Sequence, residues 1–296
     1  MGQPIQNGGS MEVVIVRVCF GRSPRAIVIV AMVSCAPAVV YADDTARERS
    51  DEGGAKAQSG IHGILAVGVA AEPEFEGAAE YLPIPQAYAH ITAFGLGLEI
   101  EGPEARLNLR PHAAFQFGPT VEYRMGRDDV ANDVIDRLES IDGAFEAGGF
   151  VTYQFKSLMA QSDVFEISAE LMADVSGVHE GVIGKVRAGY WVAPRERLRV
   201  GIETEVGFAT DEYMSTYFGV SEAGSARSGL AAYTAEGGVK DIGVQATMTY
   251  QLTDRWGLVG RASYTRLLGD AADSPIVKDE GSADQFRGGV GLSFRF

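Results

Sequence analysis

A two-residue alternation of apolar and polar side chains runs through several long segments of this sequence and restricts its fold more than any other feature. In the clearest segment, residues 198–208, Ile202 and Val206 lie at even positions while Arg199 and Glu203 lie at odd ones. On a strand the two sets point to opposite faces. On a helix Arg199 and Glu203 would share a face with Val206, which would bury charge on the core side. The alternation therefore predicts strands.

The length of these segments separates two all-β possibilities. Strands of soluble sheets usually run about five or six residues, whereas a tilted strand needs about ten residues to cross a bilayer. Several alternating segments here have about ten residues or more, which is long enough to cross. Aromatic residues recur near the segment ends, where a membrane-interface girdle needs them. They are Tyr123, Tyr153, Tyr190, Tyr250, Trp256 and Tyr264. We predict an all-β chain that forms a transmembrane antiparallel β-barrel rather than a soluble β-sandwich.

Short and long connections alternate along the chain, and this alternation predicts the strand number. The long connections are residues 127–142, 211–236 and 269–284, with 175–180 a shorter member. Counting back from a periplasmic C-terminus places every long loop outside the cell and requires an even number of strands. We predict twelve strands, with ten as the alternative. The twelve are residues 61–74, 82–90, 91–100, 105–110, 115–126, 143–156, 163–174, 181–193, 197–210, 237–251, 255–268 and 285–296.

The N-terminal region has the pattern of a secretory signal. Arg17, Arg22 and Arg25 precede the apolar run 26–40, and a small-residue cleavage site ends at Ala42. The run has about 15 residues, whereas a spanning helix needs roughly 20. This order of features predicts a signal peptide that is cleaved on export.

Three segments follow from this interpretation. Residues 1–42 form the signal peptide, with Met11 as an alternative start, residues 43–60 form a flexible periplasmic leader, and residues 61–296 form the barrel. Both cysteines, Cys19 and Cys35, lie in the signal peptide, so we expect the mature chain to contain no disulfide and no cysteine metal site.

The last predicted strand ends in a distinctive pattern. Gly291, Phe294 and the terminal Phe296 resemble the signal that outer-membrane assembly machinery reads by strand pairing. An apolar chain end is unusual in a soluble protein, because termini fray into water. We therefore expect the barrel-assembly machinery to be a partner and the outer membrane to be the location, with membrane lipid and lipopolysaccharide around the barrel.

Charge excludes one class of partner and predicts a polar interior. The formal net charge is −15, from 40 acidic and 25 basic residues, and nucleic-acid binding needs clustered Lys and Arg. The strand alternation places a mixed set of charges on the inner face, where they line a narrow path or cross-link into a plug. These residues are Glu122, Arg124, Glu166, Glu170, Lys185, Arg187, Arg199, Glu203, Glu205, Asp241, Arg261 and Arg287.

Motifs for chemistry are sparse, and we predict no enzyme, no cofactor and no metal. The histidines form no zinc-binding motif, and His179-Glu180 near Asp174 is best explained as a solvated loop. The acidic loop 128–142 offers oxygen ligands of the kind that Ca²⁺ prefers, but it lacks EF-hand spacing, so a hydrated loop is expected. Candidate outer-loop binding residues are Tyr213, Tyr217, Phe218 and Arg227.

The chain resembles the MipA/OmpV family of outer-membrane proteins over about residues 61–296. The matching stretches are residues 75–77, 123–129, 141–142, 211–220, 225–230, 267–270 and 271–278. The resemblance implies a scaffold that brings a lytic transglycosylase together with a murein synthase at the inner face of the outer membrane. It transfers no functional residue, because no such role maps to a motif here.

Three functions therefore stand as hypotheses. The first is a non-catalytic scaffold for peptidoglycan enzymes, docking them through the periplasmic turns and the leader. The second is a small-solute channel. The third is a surface adhesin acting through the loop 211–236, which carries Tyr213, Tyr217, Phe218 and Tyr233.

Overall fold

The computed structural model describes residues 13–16, 30–33, 60–160 and 162–296. The chain divides into two compact units, Met1–Lys56 and Ala57–Phe296. In the first, β1 (Val13–Val16) and β2 (Val30–Val33) pair as an antiparallel two-stranded sheet. The rest of the predicted signal peptide and nearly all of the predicted leader lie outside the described residues, so both stay predictions.

Twelve antiparallel strands close into a barrel in the second unit. They are β3 (His62–Pro73), β4 (Tyr81–Ala93), β5 (Leu96–Glu101), β6 (Glu104–Asn108), β7 (Phe115–Arg124), β8 (Ala144–Lys156), β9 (Val164–Asp174), β10 (Val182–Arg195), β11 (Leu198–Ala209), β12 (Gly238–Gln251), β13 (Trp256–Leu267) and β14 (Asp284–Arg295). β14 pairs with β3, so the sheet has no free edge. The predicted strand number is confirmed.

Strand register sorts the side chains onto two faces, as the alternation predicts. Between β10 and β11, Val186 lies opposite Val206, and the next pair along is Arg187 opposite Glu205. Val186 is exposed on the outer wall, whereas the Arg187 side chain is largely enclosed by the interior. The outer wall is thus apolar and the inner wall polar, which suits lipid outside and a polar interior.

The two ends of the barrel differ in their connections. One end, the turn end, carries the short connections after β4, β6, β8, β10 and β12, together with the start of β3 and the end of β14. The other, the loop end, carries residues 74–80, 125–143, 175–181, 210–237 and 268–283, with the tight β5–β6 turn. Long loops therefore gather at one end, as predicted.

The first hairpin at the turn end departs from the predicted boundary. We expected a break near residue 90, but β4 continues to Ala93 and turns at Phe94 and Gly95. Both residues have positive φ, 55° and 80°, the conformation that a two-residue hairpin turn requires. Phe is rarely found in that conformation, so no turn was predicted there.

The loop end contains helices that the sequence analysis did not predict. They are a 3-10 turn at Ile135–Arg137, α1 (Asp211–Phe218), α2 (Glu222–Ser228), α3 (Gly269–Asp273) and α4 (Pro275–Lys278). Within the described residues, no helix has the length and apolar character needed to cross a membrane.

Candidate functional site

The loop-end segments fold together into a lid, which we call the cap. It comprises residues 74–80, 125–143, 175–181, 210–237 and 268–283. Ser274 Oγ donates a hydrogen bond to the Phe218 carbonyl at 2.6 Å, and the Ser282 N–H donates to the Gly77 carbonyl at 2.8 Å. These bonds join segments far apart in sequence, so the loops form one packed structure.

Helix α1 carries the apolar face on which the cap is built. Tyr213 and Met214 lie one turn before Tyr217 and Phe218, and all four are buried. Asp211 and Glu212 occupy the first turn, where a helix N-terminus favours negative charge. The face packs against inner-wall residues of the barrel. The helix therefore fills the barrel mouth instead of extending into solvent.

Tyr213 lies at the centre of the cap with none of its surface exposed. Its hydroxyl donates a hydrogen bond to Glu76 Oε2 at 2.6 Å, and the Arg124 guanidinium lies 5.1 Å from its ring centroid. Burial, with the Glu76 carboxylate beside the hydroxyl, holds the pKa of Tyr213 well above its ordinary value. The phenol stays neutral and serves as a donor.

A β-bulge supplies the cation of this cluster. Gly207 pairs with Asp241 and Phe208 with Val239, so Lys240 is the extra residue in β12. Lys240 and Asp241 are consequently both buried. Lys240 Nζ makes ion pairs with Glu76 and Asp241. Strict alternation predicts only Asp241 inside, so Lys240 was missed.

The Glu76 carboxylate is held ionised by these neighbours. Burial alone would raise its pKa, but the charges of Lys240 and Arg124, with hydrogen bonds from Lys240 and Tyr213, lower the pKa to about 2. Glu76 lies in the 74–80 loop, so the ion pair attaches that loop to the barrel wall. The cluster works as a clasp that holds the cap in the mouth.

His179 is buried, and the expectation of a solvated loop histidine is wrong. Asp174 accepts backbone hydrogen bonds from Ser176, His179 and Glu180, which folds the short loop back into the mouth. His179 Nε2 lies 3.2 Å from Glu146 Oε1, and neither side chain is exposed. Glu146 also pairs with an arginine of β7, so the histidine belongs to a sealed ionic cluster.

The predicted outer-loop binding residues divide between the interior and the surface. Tyr213, Tyr217 and Phe218 lie inside the cap, so their rings are not presented to solvent. Arg227 is exposed on α2, and its guanidinium lies 2.8 Å from Glu139 Oε1. An adhesin acting through these rings finds no support in this arrangement.

Below the cap, charged side chains reach across the lumen from different strands. We call this set the belt: Glu104, Arg106, Glu122, Glu170, Lys185, Arg187 and Glu205. Lys185 on β10 lies 2.9 Å from Glu122 on β7, and Arg106 on β6 lies 2.8 Å from Glu170 on β9. Such charges must satisfy one another or stay wet. Here each belt charge has an opposite charge nearby, although Glu170 Oε1 makes no hydrogen bond and lies 3.5 Å from Arg187 and 3.7 Å from Lys185.

The opposite wall carries much smaller inner-face residues. On β3 and β14 these are Ala66, Gly68, Ala70, Gly289 and Gly291. Ala66 and Ala70 are buried against the neighbouring side chains. The belt thus faces a wall of small residues, while the ion pair between Arg261 on β13 and Glu101 on β5 reaches past that wall from its two sides.

The acidic loop and the last strand complete the list of predicted sites. Among the described residues, no group of three or more His, Cys, Asp or Glu side chains is placed to hold a metal ion. In the last strand, Gly291 pairs with Gly68, the Phe294 ring contacts the Trp256 ring at a tilt with 4.9 Å between centroids, and the Phe296 backbone bonds to Gly63. These three residues join the two ends of the sheet, and their role in assembly stays a prediction.

Comparison with known proteins gives one family match and several distant relatives. The model of the family described as MltA-interacting protein MipA matches residues 65–296. Outer membrane protein OmpV of Vibrio cholerae is 33% identical over 91 residues, 31% of this chain and 34% of that protein. Putative outer membrane protein YiaT of Escherichia coli K12 is 27% identical over 186 residues, 61% of this chain and 65% of that protein.

A third relative carries the family's name. The MltA-interacting protein of Escherichia coli K12 is 26% identical over 142 residues, 48% of this chain and 52% of that protein. The matched stretches thus span less than two thirds of each relative. Among solved structures, the NanC porin superposes with a TM-score of 0.43 at 9% identity, covering 78% of this chain and 100% of that one. With relatives named as outer-membrane proteins, the predicted outer-membrane location is confirmed.

Proposed function

This chain belongs to the MipA family, and from that premise we propose that it is a non-catalytic scaffold, closed to solutes, whose turn end holds peptidoglycan enzymes in the periplasm. The proposed partners are a lytic transglycosylase and a murein synthase, as the family resemblance implies. The name of the Escherichia coli relative, MltA-interacting protein, supports an interaction role for the family.

The observation that carries the proposal is the double closure of the lumen. The cap fills the loop end with a packed aromatic and ionic cluster, and the belt crosses the interior below it. A solute that crossed the belt would have to separate its ion pairs, which costs several kcal/mol per separated charge. A barrel closed in this way is better suited to presenting a surface than to conducting.

Apolar side chains project from the turn end and supply a surface for docking. Phe94 is 92% exposed at the β4–β5 hairpin, and Leu158 and Met159 are 54% and 80% exposed in the β8–β9 connection. Contiguous exposed apolar side chains, such as the adjacent Leu158 and Met159, are typical of protein or membrane contact sites. Because the first strand of the barrel begins at the turn end and the last strand ends there, we assign the turn end to the periplasmic side.

Two measurements test the proposal. In planar bilayers the purified mature barrel should show no discrete conductance steps, and regular steps at modest voltage would identify a channel instead. In crosslinked detergent extracts the barrel should recover murein hydrolases or synthases, and recovering none would contradict the scaffold role.

A matched pair of variants localises the docking surface. Replacing Leu158 and Met159 together by serine should remove most of the recovered enzyme, because both side chains are exposed at the turn end. Val175→Ser is the control, since Val175 is 66% exposed but lies at the loop end. Equal loss in both variants would indicate a general effect on the barrel and contradict docking at the turn end.

One observation favours a small-solute channel as the second candidate. The inner wall of β3 and β14 is lined by small residues, and Arg287 on that wall is exposed. A narrow wet path along this wall would bypass the belt, although it would meet the partly exposed Arg261–Glu101 ion pair and the cap would still close it. Conductance that appears only when the cap is loosened would support this candidate.

A further inference from the structure

Three arginines form a continuous arc at the turn end of the barrel. Arg197 lies in the β10–β11 turn, Arg255 in the β12–β13 turn and Arg295 at the end of β14, and all three are exposed. The Gln251 N–H donates to the Arg197 carbonyl at 2.8 Å, and the Arg295 N–H donates to the Arg255 carbonyl at 2.7 Å. Arg255 and Arg295 are thus backbone neighbours, and Arg197 adjoins Gln251 at the end of β12, one strand away. We call the three residues the arginine arc.

The arc belongs to the inner side of the rim. Arg295 follows the buried Ser293 at the two-residue spacing of one strand face, while Phe294 between them stacks on Trp256 on the outer face. With the Gln251 amide oriented to satisfy its neighbours, its oxygen accepts a hydrogen bond from Arg295 Nη2 at 3.1 Å. Aromatic rings thus occupy the lipid-facing positions at this level, and the guanidinium groups border the mouth of the lumen.

The arc has no counter-ion within the described part of the chain. No carboxylate oxygen lies within the 4.0 Å of a salt bridge from any of the three guanidinium groups, whereas Arg266, at the other end of β13, lies 2.6 Å from Asp284. Arg255 and Arg295 are also cross-strand neighbours of like charge, an unfavourable pairing. Although Glu196 and Asp254 precede Arg197 and Arg255 in the same turns, none of the three arginines forms a salt bridge among the described residues.

An aromatic surface lies directly inside the arc. A side chain on Gly201 would collide with the Trp191 ring, so glycine allows the indole to lie flat against β11. The Arg199 guanidinium lies 5.8 Å from the same ring. The mouth of the lumen therefore has the guanidinium groups of the arginine arc at its rim and the flat apolar ring of Trp191 further inside.

We propose that the arginine arc binds the carboxylate groups of cell-wall stem peptides at the periplasmic mouth of the lumen. The inference rests on the proposed function, which places peptidoglycan beside the turn end. Guanidinium groups bind carboxylates through paired hydrogen bonds, and a thin peptide can enter a mouth that a folded protein surface cannot. The Trp191 ring would contact the peptide's methyl groups.

Binding of a soluble muropeptide tests the inference. The probe is a fluorescent disaccharide-tetrapeptide, measured by anisotropy against the mature barrel in neutral detergent. The same peptide with its carboxyl groups amidated should bind much more weakly, and added salt should weaken binding of the free peptide by screening the exposed charges. Equal affinity for the two peptides would overturn the proposal.

Matched arginine variants assign the binding to the arc. The double variant Arg255→Gln with Arg295→Gln should raise the Kd by about tenfold or more, because each lost charge-assisted hydrogen bond is worth about one decade. Arg266→Gln, on the same strand but at the loop end, should leave the Kd unchanged. Heat-modifiable gel mobility checks that each variant is folded. An unchanged Kd in the folded double variant would overturn the proposal.

Two further arms identify competing occupants. If the double variant loses binding to phosphatidylglycerol vesicles but keeps binding to the peptide, the arc holds lipid headgroups and the proposal fails. Peptide binding that appears only after residues 43–59 are removed would make the leader the occupant, which also overturns it. Enzyme recovery by crosslinking is scored separately, so failed peptide binding with intact enzyme recovery refutes this inference alone.

Discussion

The two ends of this barrel are made by the same strands, yet charged side chains are buried and paired at one end and exposed at the other. At the loop end Lys240 is buried between Glu76 and Asp241 beneath a folded cap. At the turn end Arg255 in the β12–β13 turn and Arg295 at the end of β14 are exposed, and neither has a carboxylate partner among the described residues. The comparison shows that the loop end uses charge to hold itself together, whereas the turn end leaves charge free for another molecule.

The physical consequence is an unequal sensitivity to substitution. Removing one partner of a buried ion pair leaves an uncompensated charge and costs roughly 3–5 kcal/mol. Removing an exposed charge costs about 0–1 kcal/mol. Charge substitutions at the loop end should therefore change stability, while those at the turn end should change binding.

The largest effect is expected for Lys240→Met. The substitution leaves Glu76 and Asp241 as neighbouring buried carboxylates, so opening of the cap should become easier by about 3–5 kcal/mol. Hydrogen exchange of the α1 amides measures that opening directly. Lys156→Met is the control, because Lys156 is exposed at the turn end. Similar exchange in the two variants would remove the distinction between the ends.

Acid should loosen the loop end through Glu76. The pKa of Glu76 is about 2 in the folded chain against an ordinary value of 4.5. A lowered pKa means that its contribution is fully present above pH 4.5 and is lost as the pH falls towards 2, a change of about 3 kcal/mol. Exchange of the α1 amides should accelerate over that window. In Glu76→Gln the acceleration should be much smaller, and an identical pH profile would contradict the assignment.

The smallest effect is expected for Arg227→Gln, which sharpens the comparison within the cap itself. Arg227 pairs with Glu139, but both side chains are about half exposed. Screening by water and salt limits such a pair to about 1 kcal/mol or less. The thermal midpoint for heat-modifiable mobility should barely move. If Arg227→Gln lowered this midpoint as much as Lys240→Met does in the same assay, exposure would not explain the difference in strength between the two ion pairs.

The barrel wall was predictable because its signal is local. Alternation repeats every two residues, and it correctly separated the outer Val186 and Val206 from the inner Arg187 and Glu205. Where the alternation is interrupted, prediction failed. The Phe94 turn uses an unusual backbone conformation for that residue, and the extra residue Lys240 shifts the pattern within β12.

The cap and the belt were not predictable, because their contacts join distant parts of the chain. The Tyr213 hydroxyl meets Glu76 across 137 positions of sequence, and Arg106 meets Glu170 across 64. Sequence identified charges on the inner wall but could not pair them before the ring was closed. For the same reason the aromatic residues of α1 were interpreted as a binding surface, although the barrel mouth encloses them.

The bulge in β12 also bears on which length changes this protein can tolerate. Deleting Lys240 would restore unbroken alternation and remove the clasp's cation. Adding one residue would reverse the faces of the strand beyond it. Single-residue insertions and deletions should therefore be rare at the bulge among natural variants. They should accumulate in the exposed parts of 125–143, where an added residue lengthens a loop without changing any strand's register.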